Sequence, residues 1–208
     1  MKKLNFIFTY VFLFSISFVQ SQEENQNSKF SIIAYGGIGY TKVQNDLELD
    51  YDLNVNTAEI LINYKIWNDI GIASGIGYSE LSGAGYNSTG NFYHERNVVK
   101  IPLLLTANKN FSENLVIFAN FGFYGQTIVK DEFRYLLTTR DDIYEGLNFG
   151  AQLGLGLGYQ IDERFAIGFN LSAQSDFNSF ETTNNTIVNN KQKHKNLTTV
   201  GIFGTISL

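Results

Sequence analysis

The sequence predicts an all-β fold, an eight-stranded antiparallel up-and-down transmembrane β-barrel. Three observations lead there: eight stretches alternate apolar and polar side chains, the connections between them alternate between long and short, and the chain opens with an export signal. Alternation at period 2 places successive side chains on opposite faces of a strand.

The first element is a signal peptide, expected to be cleaved, from Met1 to Ser21. Lys2 and Lys3 precede an apolar run from Leu4 to Val19, and Val19 and Ser21 are small enough to flank a cleavage site before Gln22. A retained helix needs about 20 apolar residues to span a bilayer, whereas this run is shorter and holds Thr9, Ser15 and Ser17. Residues 22–208 are then one outer-membrane barrel domain, with 13 basic residues against 20 acidic ones and a formal charge of −7. That charge argues against nucleic acid as a partner. Zero Cys removes disulfides, lipid anchoring through a thiol, and thiolate metal sites. A mean hydropathy of −0.09 fits a membrane barrel, because a strand shows lipid only alternate residues.

Period-2 runs bounded by turn residues place strands at 30–41, 57–66, 70–81, 97–107, 115–129, 146–161, 164–177 and 196–208. Most reach the roughly 9 to 11 residues that a tilted spanning strand requires. The fourth contains Pro102, the only proline, expected at a bulge or where its missing N–H does no harm. In the sixth, Leu147, Phe149, Ala151, Leu153, Leu155, Leu157, Tyr159 and Ile161 share one parity, and Asn148, Gly150, Gln152, Gly154, Gly156, Gly158 and Gln160 the other. Bulky apolar residues on one side and small or amide residues on the other fit lipid outside and a crowded lumen inside. The glycines superficially suggest a nucleotide-binding loop, but such a loop needs a strand, a turn and a helix.

Trp67-Asn68-Asp69, Asn108 to Asn114 and Asp162-Glu163 are the short connections; 42–56, 82–96, 130–145 and 178–195 are the long ones. Short turns are expected in the periplasm with both termini, and long loops outside the cell. Aromatic girdles accompany this: Phe30, Tyr64, Trp67, Tyr159 and Phe165 near the short turns, Tyr40, Tyr78, Phe123 and Phe149 nearer the loops.

Two segments carry a family resemblance. Val99-Lys100-Ile101-Pro102-Leu103-Leu104-Leu105 resembles the "iPLLL" strand of the PorT-like outer-membrane β-barrels of Bacteroidota. Asn148-Phe149-Gly150 through Gly154, Gly156, Gly158 and Tyr159, with the turn and strand that follow, resembles that family's Gly-alternating strand. The resemblance covers the chain after the signal and implies OmpA- or OmpX-like architecture in the outer membrane, with no particular substrate. The family's usual terminal aromatic is replaced by Leu208.

Candidate chemistry is sparse. Glu59, Lys100 and Asp176 point inward near the loop end of their strands, and charges in so narrow a lumen should pair. An ion-pair plug involving Glu59 and Lys100 is expected, with a gate for small solutes as the sharper alternative. His94 and His194 fall in predicted long loops and are expected to be solvated. Ser79, Ser82 and Ser88 form no recognisable catalytic constellation with them. Asp46, Glu48, Asp50 and Asp52 alternate with Leu47, Leu49, Tyr51 and Leu53, a strand-like extension that lacks the glycine of a calcium loop. The Asn-rich fourth loop, Thr182 to Asn190, should be mobile.

The expectation is a monomeric, non-enzymatic barrel with a structural, adhesive or weakly solute-conducting, porin-like role. It would meet outer-membrane lipid, lipopolysaccharide and the barrel-assembly machinery, and need no cofactor, metal or catalytic residue. The alternatives are a barrel enzyme acting on lipid A or surface peptides, and a soluble lipocalin-like binder.

Overall fold

Eight long strands form a closed antiparallel ring in a computed structural model that describes residues 29–182 and 190–208. The expected signal peptide and residues 183–189 of the fourth loop lie outside the described residues.

In chain order the strands are β1 (Phe30–Asn45), β2 (Tyr51–Lys65), β3 (Ile70–Asn87), β4 (Gly90–Asn110), β5 (Leu115–Tyr135), β6 (Thr139–Asp141), β7 (Tyr144–Glu145), β8 (Leu147–Gln160), β9 (Phe165–Asp176), β10 (Phe180–Thr182) and β11 (Lys191–Ser207). The wall runs β1-β2-β3-β4-β5-β8-β9-β11, and β11 closes on β1 from Ser31↔Ser207 to Asn45↔Gln192. The short β6, β7 and β10 line the long-loop end: β6 pairs with β5, and β10 with β7 and β11.

All eight expected wall strands are present, and several run farther toward the loop end than their hydropathy suggests. β4 begins at Gly90 rather than 97 and β5 ends at Tyr135 rather than 129. The expected long loop 82–96 is almost entirely strand, closed by a two-residue turn at Ser88 and Thr89 between Asn87 and Gly90. Gly90 takes φ +123°, which only glycine adopts readily, and Asn87 Oδ1 accepts from the Thr89 N–H at 3.0 Å. These segments look like loops in sequence because their outward residues are polar; cross-strand pairing carries the ladder on regardless.

The parity assignment for β8 holds in the structure. Leu147, Phe149, Leu153, Leu155, Leu157 and Tyr159 are 49–59% exposed, while Gly150, Gln152 and Gly154 are buried. The outward belt covers about 70–78 on β3 and 147–159 on β8, with equivalent segments around the ring. At about 3.3 Å per residue and a tilt near 40°, these spans rise about 20–30 Å, matching a hydrocarbon band of about 25 Å. Above it the outward residues turn polar at Asn54, Asn56, Glu80, Asn97 and Lys130. Exposed Trp67, Tyr64 and Tyr159 mark the short-turn edge, and exposed Tyr40, Tyr78, Phe123 and Phe149 the other.

Inside, two apolar layers sandwich a polar one. Ile33, Leu61, Leu104, Phe118 and Phe203 pack toward the short turns; Leu53, Leu81, Phe92, Val98, Phe133 and Phe180 pack beyond the belt at the loop end. Phe203 fills the space left by Gly156 and Gly158, where an added Cβ would stand 2.9 Å from its ring. Pro102 does no harm to the ladder: β3–β4 pairing is interrupted between Leu103 and Lys100, and Ser74 Oγ donates to the Pro102 carbonyl at 2.8 Å.

Two β-bulges reset the parity of the wall. Between Asn97↔Lys130 and Val98↔Ile128, Val129 is an extra residue on β5. Between Tyr40↔Thr198 and Lys42↔Lys195, β11 carries one extra residue, with Asn196 at φ 55°. An extra residue moves every later side chain to the opposite face. Asp131, Phe133, His194 and Gln192 therefore turn inward, while Lys130, Lys193 and Lys195 turn outward.

Candidate functional site

The polar layer of the lumen is built around Lys100. Its Nζ donates to Glu59 Oε1 at 2.5 Å, Gln152 Oε1 at 2.8 Å and Gln174 Oε1 at 2.9 Å, which uses all three ammonium protons. Lys100 and Glu59 are 2% and 4% exposed, and the ammonium also lies 5.4 Å from the centre of the Tyr124 ring. The structure thus brings two of the three sequence-derived lumen residues into direct contact. Asp176 points inward beside them but bonds elsewhere. It accepts from Tyr124 Oη at 2.7 Å, Gln126 Nε2 at 2.9 Å, Asn148 Nδ2 at 3.0 Å and the His194 N–H at 2.9 Å.

A second buried cluster caps this layer above the lipid belt. Arg96, inward on β4, donates through Nε to Asp131 Oδ1 at 2.7 Å and through Nη2 to Gln192 Oε1 at 2.8 Å. Its Nη1 lies 3.4 Å from His194 Nε2, and its guanidinium sits over the Tyr144 and Phe180 rings. His94 Nε2 lies 2.8 Å from Asp131 Oδ1, its Nδ1 lies 2.8 Å from Tyr51 Oη, and its ring stacks on Phe133. His94 Nε2–H donates to the Asp131 carboxylate, and in the neutral ring Nδ1 accepts from the tyrosine. Arginine can only donate, so His194 Nε2 is an acceptor. The His194 imidazole is therefore neutral.

The electrostatics agree with that assignment. Burial, reinforced by Arg96, lowers the His94 pKa to about 4 despite the nearby Asp131. Burial, again with Arg96, depresses His194 well below the usual imidazole range. Burial alone would raise Asp131, but Arg96 and His94 outweigh it and hold the carboxyl at about 2.

Neither histidine is in a solvated loop. His94 lies on β4 and His194 on β11, at 0% and 1% exposure, because the strands continue where loops were expected. Sequence reasoning missed the Arg96 cluster. Ser79 Oγ donates to Thr57 Oγ1 at 2.9 Å rather than meeting a histidine. At loop one, Asn45 Nδ2 donates to the Leu49 carbonyl and Asp50 Oδ1 accepts from the Asn45 N–H; this turn fixes the start of β2 at Tyr51. Among the described residues, no group of three or more His, Cys, Asp or Glu is placed to hold a metal ion.

At the short-turn end lies a cavity of about 460 Å³, lined in part by Lys29, Lys65, Lys109 and Arg164 and floored by Phe118 and Phe203. The apolar layer separates it from Lys100.

No family model matches the chain, and no curated protein matches it in sequence. Solved structures match its shape. Neisserial surface protein A is 12% identical, with a TM-score of 0.53 over 87% of this chain and 98% of that one. The outer membrane protease OmpT from Escherichia coli is 10% identical, with a TM-score of 0.53 over 89% and 99%. The outer membrane protein OprG from Pseudomonas aeruginosa is 10% identical, with a TM-score of 0.50 over 89% and 100%. The chain has the fold of outer-membrane β-barrels, built here as an eight-stranded antiparallel up-and-down ring.

Proposed function

We propose that the protein is an integral outer-membrane β-barrel, closed to solutes, with a non-enzymatic structural or adhesive role. The observation that carries this is the lumen, obstructed by the Lys100 layer and then by the Arg96 cluster, each hydrogen-bonded across several strands. In this proposal the protein is a monomer inserted by the barrel-assembly machinery. The short turns and both termini face the periplasm, and the strand extensions and loops face outward. Grouping with PorT-like barrels rests on the Val99 to Leu105 strand and the Gly-alternating β8.

One feature supports a non-enzymatic role. His94 and Asp131 resemble a base with its orienting acid, but the other nitrogen of His94 is bonded to Tyr51 within the protein, and the imidazole is fully buried. The outward position of the bulky β8 residues weighs against a lipocalin-like interior ligand cavity.

Membrane fractionation, heat-modifiable gel mobility and planar-bilayer recording test the proposal together. The expected result is a detergent-requiring, heat-modifiable protein without steady conductance; extraction by buffer alone overturns the membrane assignment, and steady conductance overturns closure. Gated conduction is the second reading, favoured by the polar Lys100 layer and the cavity beneath the apolar one. Conductance absent in wild type but present in Lys100→Ala would support gating, and its absence from both would remove it.

A further inference from the structure

The seam where β11 meets β1 carries three lysines with no ion-pair partner among the described residues. Lys42 and Lys195 are opposite each other in register, and Lys193 is one outward step farther, opposite Gln44. Like charges directly across a ladder repel. Asp52 faces Lys42 across β1–β2, but the two form no ion pair, and Lys191 alone of the seam lysines pairs with a carboxylate, Glu181, at 2.7 Å. The β4–β5 surface, on the opposite side of the ring, is different: Lys130 and Arg134 are both compensated by Glu95 and Glu132. In a chain of net charge −5, three ammonium groups without an ion-pair partner share this one seam.

The position of this patch is as specific as its sign. Lys42 follows outward Tyr40, which is 60% exposed at the edge of the apolar belt, by one side-chain repeat. Successive same-face residues are about 7 Å apart along a strand, and opposed residues about 5 Å apart across it. The three ammonium groups are therefore rooted within about 10 Å of one another, at the depth of lipid headgroups. The β11 bulge produces this arrangement: without it, Lys193 and Lys195 would point into the lumen.

We propose that Lys42, Lys193 and Lys195 form a binding surface for the phosphate groups of anionic lipid headgroups in the leaflet at the long-loop end. The surface rests on the membrane-barrel assignment above. Lysines near an anionic membrane attract phosphate individually and roughly additively.

The test uses the full barrel in phosphatidylcholine vesicles containing a minor fraction of phosphatidic acid, with quantification of the lipid that remains with the protein after detergent extraction. Heat-modifiable mobility in phosphatidylcholine alone is scored first; its loss in wild type defeats the barrel assignment rather than the lysine surface. Wild type is expected to retain phosphatidic acid above its bulk fraction. Each single Lys→Gln substitution should lower that enrichment about three- to fivefold, and the triple variant should abolish it. A triple Lys→Arg variant should keep it. Equal enrichment in wild type and the triple Gln variant overturns the proposal, with single Lys195→Gln deciding if the triple variant fails to fold. A Lys29→Gln, Lys65→Gln, Lys109→Gln control should retain full enrichment; parallel loss there would mean non-specific charge. Displacement by millimolar inorganic phosphate would assign the surface to free anions and overturn the lipid source.

Discussion

Arg96 shows what a single side chain does in this lumen. Its guanidinium is fully buried, bonds Asp131 and Gln192, and leans on two aromatic rings. Arg96→Ala strands Asp131 in a dry site, and such losses cost about 3–5 kcal/mol. The double variant Arg96→Met, Asp131→Leu removes both charges and should recover most of that loss; urea midpoints of the two variants check it. The histidines set a pH dependence at the same scale. A group whose pKa is depressed in the fold is protonated first in the unfolded chain. Its stabilising effect is therefore present above pH 6.5 and lost as pH falls toward about 4, the folded value for His94. Asp131 retains its contribution until pH falls below its ordinary range toward about 2. Unfolding midpoints measured from pH 7 to 4 should drop in wild type and drop less in His94→Gln.

At the scale of the strand, the bulge at Val129 decides which residues reach Arg96. Deleting Val129 should turn Asp131 outward and Lys130 inward, breaking the cluster and lowering the urea midpoint sharply. Val129→Thr keeps the extra residue and should shift stability by less than about 1 kcal/mol. The same geometry explains what sequence could reveal. On β4 the alternation runs unbroken from Phe92 through His94, Arg96 and Val98 to Lys100, so the parity that placed Lys100 inward already implied Arg96 and His94. Asp131 and His194 were hidden, because each lies beyond a bulge where period 2 fails. The lipid-facing parity of β8 was legible because no bulge interrupts it, and the full lengths of β4 and β5 were not, because outward polar residues beyond the belt resemble loop sequence.

For the whole molecule, the belt and the polar extension above it should respond differently to the same substitution. Leu155, 55% exposed in the belt, becomes costly as arginine: Leu155→Arg should destabilise the barrel in lipid by about 2–4 kcal/mol. Asn97→Arg, outward but above the belt, should cost about 1 kcal/mol or less. Unfolding in phosphatidylcholine vesicles compares them directly.

The seam between β1 and β11 also imposes an order in time. It joins Ser31 to Ser207, so the ring cannot shut until nearly all of the chain is available. Pairing across such a separation is intrinsically slow. Until it completes, the sheet has two raw edges, each offering unpaired N–H and C=O groups to any neighbouring strand. The interval before sealing is therefore when this protein is most exposed to aggregation, and the rate of that last pairing governs how much of the chain reaches the finished ring.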